Sequence, residues 1–169
     1  MATRQGDEWY TPSHIIESAR VVLGAIDLDP ASNPIAQERV RATQFFTKHD
    51  NGLLHPWHGR IFCNPPYSYP LIRQFVEKLV AEHAAGNVSA AILLTNSQTS
   101  AAWFNEASLV ASRVCLPTGR IRFHRPNGEL GPSPKQGQAI FFFGSDADRF
   151  EQEFRKYGSI TVIRREGAA

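Results

Sequence analysis

Two uninterrupted apolar runs restrict the fold most strongly. "SAAILLTN" (89–96) and "AIFFFGS" (139–145) show no alternation of apolar and polar residues, which is typical of strands buried on both faces. Shorter segments with the composition of strands lie at 25–33, 61–63, 113–117 and 159–163. Segments with the apolar spacing of helices lie between them, at 12–23, 70–85, 100–111 and 146–157. Strands that alternate with helices predict an α/β fold with a mainly parallel central sheet flanked by helices.

The length and composition predict one domain over residues 1–169. Hydrophobic residues make up 42% of the chain and charged residues 20%, values that exclude a disordered or fibrous class. No apolar run approaches the ~20 residues that a membrane-spanning helix needs. The N-terminus "MATRQGDEWYTP" lacks the apolar stretch of a signal peptide. A cytoplasmic protein without a membrane partner is therefore expected.

The net charge of +2 hides a local excess of positive charge. The segment from Arg113 to Gln138 contains a single acid, Glu129, and five bases, which are Arg113, Arg120, Arg122, Arg125 and Lys135. Gly and Pro are frequent in the same segment, so a basic loop is predicted at about 117–138. Such a loop is either a phosphate-binding surface or a solvated connection.

The stretch "IFCNPPYS" (61–68) ends a strand abruptly in an amide and two prolines. An exocyclic amine of a nucleobase is a poor nucleophile because its lone pair is delocalised into the ring. Two hydrogen-bond acceptors, one for each N–H, would localise that lone pair on the nitrogen. The Asn64 side-chain oxygen and the Pro65 carbonyl, held in place by the following Pro66, are the candidate acceptors. Tyr67 can stack on the planar base. The alternative is a strand end closed by a Pro-Pro turn with a surface tyrosine.

"NPPY" resembles the catalytic motif of S-adenosylmethionine-dependent amino-methyltransferases, and the wider pattern resembles the phage DNA N-6-adenine methyltransferase family. The matching segments, in order, are "EWYTP", "IDLDPASN", "QFFT", "NGLLHPW", "FCNPPYS", "LLTNSQTSAAWF" and "GRIRF". The resemblance implies a Rossmann-like methyltransferase fold of reduced size, S-adenosylmethionine as methyl donor, and adenine N6 in DNA as acceptor. It also implies a phage or prophage origin and action in the host cytoplasm. A stacked adenine cannot reach Asn64, so base flipping is implied as well.

The segment "IDLDPASN" (26–33) is the candidate donor site. Acidic residues at the carboxyl end of a strand can bind the ribose hydroxyls or the amino group of the donor. We expect Asp29, at the strand tip, to make this contact and keep Asp27 as the second choice. The remaining candidates in this segment are Pro30, Ala31 and Asn33. The resemblance adds the N-terminal segment "WYTP", which consists of Trp9, Tyr10, Thr11 and Pro12. No Gly-x-Gly loop follows the strand, and a structural turn capped by Asp and Asn is the alternative.

The segment "TGRIRFHRPNG" (118–128) is the candidate DNA-binding surface. Its basic residues are interleaved with an aromatic one, a pattern that suits phosphate contacts and stacking. The predicted DNA-binding residues are Arg120, Arg122, Phe123 and Arg125, and Arg120 has a structural role as its alternative. The resemblance also places the segment that begins at Asn96 beside the target-base pocket.

No metal site is predicted. Three histidines and Cys63 lie within fifteen residues, but their spacing does not match paired zinc ligands.

The sequence leaves other functions open. The same chemistry suits cytosine N4, adenine in RNA and the side-chain amide of a protein glutamine. A nucleic-acid-binding module of the same fold without catalytic activity is the third possibility.

Overall fold

A computed structural model gives the structure of residues 9–164. These residues form one seven-stranded sheet and five α-helices. The helices are α1 (Ser13–Leu23), α2 (Pro34–Val40), α3 (Leu71–Ala84), α4 (Ala102–Val110) and α5 (Ala147–Phe154). The strands are β1 (Leu28–Asp29), β2 (Gln44–Phe45), β3 (Gly59–Cys63), β4 (Val88–Asn96), β5 (Arg113–Pro117), β6 (Gln138–Phe143) and β7 (Gly158–Thr161). A single 3₁₀ turn spans Gly52–Leu54.

The sheet is mixed, so the prediction of a mainly parallel sheet is wrong. Its strand order is β2-β1-β3-β4-β6-β5-β7. The pairings β1 with β2, β1 with β3 and β3 with β4 are parallel, whereas β4 with β6, β5 with β6 and β5 with β7 are antiparallel. The physical reason is the connection from β5 to β6, which is the Gly- and Pro-rich loop at 118–137. This loop contains no helix that would carry the chain back across a face of the sheet, so β6 starts at the edge where β5 ends and runs antiparallel to β5 and β4.

Both faces of the sheet are covered by helices, as the uninterrupted apolar runs predict. Helices α3 and α4 pack on one face and α1 and α5 on the other. Side chains of β6 alternate between these two cores: Phe141 and Phe143 belong to the first, Ile140 and Phe142 to the second. Because both faces are buried, the strand sequence is apolar at every position of β6 after Gln138.

The mixed topology determines where the basic loop lies. Strands β1, β3, β4 and β5 end at one edge of the sheet, and β6 begins there, since Asn96 at the end of β4 pairs with Gln138 at the start of β6. The loop at 118–137 leaves β5 and enters β6 at this same edge. The N-terminal segment joins it through paired backbone bonds between Tyr10 and His124, 2.9 and 2.8 Å long. The predicted catalytic, donor and DNA-binding segments therefore meet at one edge of the sheet.

Candidate active site

A large cavity opens along this edge of the sheet. Its volume is about 1650 Å³, above the ~300–1,000 Å³ of an ordinary small-molecule site. Of the predicted catalytic, donor-binding and DNA-binding residues, those that border it are Trp9, Tyr10, Thr11, Asp29, Ala31, Asn33, Asn64, Pro65, Pro66, Tyr67 and Phe123. The cavity is thus large enough for two planar groups in contact, and its walls combine aromatic rings with a few polar side chains.

The Asn64 amide is held in a defined orientation. Its Nδ2 donates to Thr11 Oγ1 at 3.1 Å, and its Oδ1 accepts from the Tyr67 hydroxyl at 2.9 Å. Thr11 is buried just before α1, so a residue 53 positions away in the chain supports the end of β3. A carboxamide oxygen has two lone pairs, so Oδ1 retains one for a further donor. The strand end therefore presents an oriented, uncharged acceptor to the cavity.

Tyr67 acts as a fixed donor at this strand end. Burial raises the pKa of its hydroxyl well above the usual value, and the neighbouring Cys63 thiol adds to the effect. The hydroxyl therefore stays protonated, and its single proton is donated mainly to Asn64 Oδ1, with the Leu94 carbonyl as a second, more distant acceptor at 3.4 Å. The ring of Phe123 meets the Tyr67 ring edge-on at a centroid distance of 6.5 Å. These contacts leave the partly exposed Tyr67 ring as part of the cavity wall.

Asp29 lies at the tip of β1 and is the buried carboxylate of the cavity, only 3% exposed. Its Oδ1 accepts from the Ala31 backbone N–H at 3.3 Å and its Oδ2 from Gln37 Nε2 at 3.0 Å. Desolvation raises the pKa of Asp29 to about 6, although hydrogen bonds from Ser32, Ala31 and Gln37 counteract it. Asp29 takes part in none of the ion pairs found in residues 9–164, and a buried carboxylate of this kind is suited to a ligand that brings hydroxyl or ammonium donors.

The family of the chain is shown by comparison with known proteins. The model of the DNA N-6-adenine-methyltransferase (Dam) family matches residues 1–167. The chain belongs to the Dam family. Membership confirms the resemblance in the sequence and implies DNA adenine N6-methyltransferase activity. A comparison with curated proteins finds no match.

Three of the predicted donor residues of this Dam-family chain do not border the cavity, namely Pro12, Asp27 and Pro30. Asp27, at the opposite end of β1 from the cavity, forms a two-pronged ion pair with Arg60, with Oδ2 accepting from Nε at 2.8 Å and Oδ1 from Nη2 at 2.9 Å. Hydrogen bonds from Arg60 hold the pKa of the Asp27 carboxyl below its usual value. The carbonyl of Pro30 is covered by Gly52, where a Cβ would lie 2.1 Å from that oxygen. Glycine is thus required at 52 by the close approach of two backbone segments.

The remaining donor candidates are partly engaged in local structure. Pro12 is the residue before α1 and accepts the first helical N–H groups at its carbonyl. Asn33 caps α2, with Oδ1 accepting from the Ala36 N–H at 2.9 Å. The Trp9 ring packs against Gly131, where a Cβ would meet it at 2.4 Å. The N-terminal segment is therefore fastened both to the end of β3, through Thr11, and to the basic loop.

The four predicted DNA-binding residues differ in their environments. Arg122 donates from Nε and Nη2 to the Gly131 carbonyl, at 3.0 and 2.7 Å, and so holds the basic loop together. Arg120 and Arg125 are exposed and take part in none of the side-chain hydrogen bonds or ion pairs found in residues 9–164. Phe123 is buried, only 7% exposed, and lies in the cavity wall. Arg122 is thus the arginine hydrogen-bonded within the loop, whereas the Arg120 guanidinium lies against Gly137 without a hydrogen bond to it.

Sequence reasoning missed two glutamines: one orients Asp29 at the end of β1, and the other connects the basic loop to β6. Gln37 donates to Asp29 and, at 2.8 Å, to Ser32 Oγ, and accepts from the Ala42 N–H at 2.9 Å. Gln138, only 4% exposed, accepts from the Ile121 N–H at 2.9 Å and connects the loop to β6. Both are glutamines in ordinary helix or strand positions, and no local sequence signal marks their partners.

No helix in the described part of the chain is long and apolar enough to cross a membrane. Within the same residues, no group of three or more His, Cys, Asp or Glu side chains is placed to hold a metal ion.

Proposed function

We propose that this chain transfers a methyl group from S-adenosylmethionine to the N6 amine of an adenine that is flipped out of DNA into the cavity. The observation that supports this most directly is the joint position of Asn64 and Asp29. An oriented neutral acceptor and a buried carboxylate lie at the ends of two neighbouring strands and border the same cavity. The proposal also assigns the α/β architecture to a Rossmann-like methyltransferase fold, formed by a single domain of the whole chain.

The side chains that line the cavity support S-adenosylmethionine as the methyl donor. Asp29 is a buried acceptor whose desolvation an incoming hydroxyl or ammonium group would offset. Trp9 and Tyr10 supply aromatic surface in the wall of the same cavity, and aromatic faces attract a sulfonium cation. When bound, S-adenosylmethionine supplies an electrophilic methyl group. The residues proposed to hold it are Asp29, with Ala31 and Asn33 from the following turn, and Trp9, Tyr10 and Thr11 from the N-terminal segment.

The end of β3 is proposed to activate the acceptor nitrogen. The free lone pair of Asn64 Oδ1 accepts one N6 proton and the Pro65 carbonyl accepts the other. The lone pair of the nitrogen is then localised and directed at the methyl group. Pro66 limits the backbone freedom of Pro65, and the Tyr67 ring stacks on the base, so the geometry exists before the substrate arrives. The product nitrogen is acidic and loses its proton to water, so no strong base is needed.

DNA is proposed to approach over the basic loop. Arg120 and Arg125 are free to contact phosphates, while Arg122 maintains the loop shape and Phe123 contacts the flipped base from the cavity wall. Each lost phosphate contact lowers the log–log salt slope of binding by about 0.9. The double variant Arg120→Ala/Arg125→Ala should lower it by about two and leave donor binding intact. Arg149→Ala, an exposed arginine in the first turn of α5, is the control for loss of charge. An unchanged slope in the double variant would place the DNA on another surface.

Methyl transfer from radioactive S-adenosylmethionine to plasmid DNA, RNA and protein, followed by nucleoside and amino-acid analysis, tests the activity. Label in N6-methyladenine from DNA is the expected result. Label in N4-methylcytosine, in RNA or in methylglutamine would show the same methyl-transfer chemistry on an acceptor other than adenine in DNA. DNA binding without transfer to any acceptor would leave a non-catalytic module. Single-molecule sequencing of DNA from cells that express the protein would then identify the methylated sequence.

A further inference from the structure

Asn96, the last residue of β4, has an unusual side chain. Its Oδ1 is the one buried side-chain oxygen or nitrogen without a hydrogen-bond partner in residues 9–164. Its Nδ2 donates to Gln136 Oε1 at 2.7 Å, so Oδ1 faces away from Gln136. Native proteins leave few buried polar atoms without a partner, and each one calls for an explanation. A ligand that donates a hydrogen bond to Oδ1 is one such explanation.

Asn96 borders the same cavity as Asn64. In the parallel pairing of β3 with β4, Cys63 lies opposite Leu93, so Asn64 is level with Leu94. Asn96 is two residues further and on the face of Leu94, about 7 Å along the strand. The Tyr67 hydroxyl lies within hydrogen-bond distance of both the Asn64 amide oxygen and the Leu94 carbonyl, so it connects the end of β3 to β4 two residues before Asn96. A base whose amino group meets Asn64 would thus extend its ring edge towards Asn96.

The chemistry of a carboxamide matches one edge of adenine. Asparagine binds adenine in a bidentate manner, with the amide oxygen accepting from N6–H and the amide nitrogen donating to N7. The Asn96 Nδ2 has a second proton that the bond to Gln136 does not use. Cytosine carries a C–H group next to its amino group where adenine has N7, so it offers no acceptor to that proton.

We propose that Asn96 is the residue that makes the enzyme specific for adenine over cytosine. Its Nδ2 donates to N7 of the flipped base. Its Oδ1 accepts the N6 proton that points towards N7. The same proton is shared with the nearer of the two acceptors at the end of β3, Asn64 Oδ1 or the Pro65 carbonyl. Gln136 is a positioning residue that keeps the amide in this orientation. The inference rests on the proposed function and extends it from reaction type to base selection.

The test compares adenine with 7-deazaadenine, which lacks the N7 acceptor, at the target position of a synthetic duplex with the methylated sequence. For the wild-type enzyme, kcat/KM should be about 10- to 100-fold lower on the 7-deaza substrate. Asn96→Asp has the same shape but cannot donate to N7, and Asn96→Ala removes the whole amide. In both variants the ratio between the two substrates should fall close to one. Gln152→Ala, an exposed amide on α5, is the control and should retain the wild-type ratio.

Each outcome separates the inference from the proposed function. Wild-type activity on adenine with equal rates on the two substrates would overturn the role of Asn96 and leave the methyltransferase intact. The same holds if either Asn96 variant keeps the wild-type ratio. Because the readout is a ratio within one protein, a variant that is merely less stable lowers both rates and leaves the ratio unchanged. Absence of adenine methylation by the wild-type enzyme would instead reject the proposed function, and this inference with it.

Discussion

Two polar strand ends border the cavity, and they are held in place in different ways. Asp29 is charged and almost fully buried, and its partners Ala31, Ser32 and Gln37 come from the next eight residues of the chain. Asn64 is neutral and partly exposed, and one of its partners, Thr11, is 53 residues away. Ionising Asp29 therefore costs free energy that a ligand can recover, whereas Asn64 requires only orientation. The difference predicts separate effects on donor binding and on turnover.

The largest expected effect comes from Asn64→Ala. The variant removes one of two acceptors on the N6 protons, and loss of one such electrostatic contact costs about 10²–10³ in turnover. Donor affinity should change little, because Asp29 and its partners are untouched. Single-turnover kinetics and calorimetry measure the two quantities. Near-normal turnover in this variant would remove Asn64 from the reaction.

Asp29→Asn should have opposite effects on donor binding and on stability. The folded-state pKa of about 6 exceeds the ~3.9 of an unfolded aspartate, so the folded protein binds more protons between these pH values. Ionisation then lowers the free energy of unfolding as pH rises from 4 to 6, by about 3 kcal/mol in all. The variant lacks this decline, so its stability relative to wild type should increase over that range. Urea titrations at pH 4, 5, 6 and 7 measure it.

Donor affinity provides the complementary pH test. If the carboxylate form binds the donor, wild-type affinity should rise up to about pH 6 and then level off. In Asp29→Asn, affinity should be lower and independent of pH in this range. A pH-independent wild-type affinity would indicate that the donor does not contact Asp29.

Gln37→Leu should produce a smaller change at the same strand end. The glutamine lowers the pKa of Asp29 through its hydrogen bond, so its loss should move the pH dependence of donor binding to higher pH. A net hydrogen bond to a charged group contributes about 1.5–3 kcal/mol, so affinity at pH 7 should fall by up to about tenfold, because Ser32 and Ala31 remain as partners. Calorimetry at pH 6, 7 and 8 distinguishes this shift from a uniform loss of affinity.

The sequence predicts the strand ends better than the contacts that hold them. Apolar runs and proline signals locate β3, β4, β6 and their ends within two residues, because burial on both faces has a direct compositional signature. Strand direction has no such signature: the run in β6 would be equally apolar in a parallel or an antiparallel position, so the mixed sheet was missed. The two-residue strand β2 is too short to show a period. Gln37 and the bond from Asn64 to Thr11 depend on tertiary proximity, which no local pattern encodes.

The smallest expected effect on donor affinity belongs to Asp27, which immediately precedes β1 and lies at the opposite end of that strand from Asp29. Its side chain is 35% exposed, that of Arg60 39%, and such exposed ion pairs contribute about 0–1 kcal/mol. The carboxylate also accepts from the Arg60 backbone N–H at 2.8 Å, so Asp27→Ala should lower the free energy of unfolding by about 1–2 kcal/mol. It should leave donor affinity and its pH dependence as in the wild type, because the carboxylate does not border the cavity. The matched variant Asp29→Ala should lose donor affinity. Loss of donor affinity in Asp27→Ala but not in Asp29→Ala would place the donor at the opposite end of the sheet from Asn64. From there its methyl group could not reach a base held by Asn64.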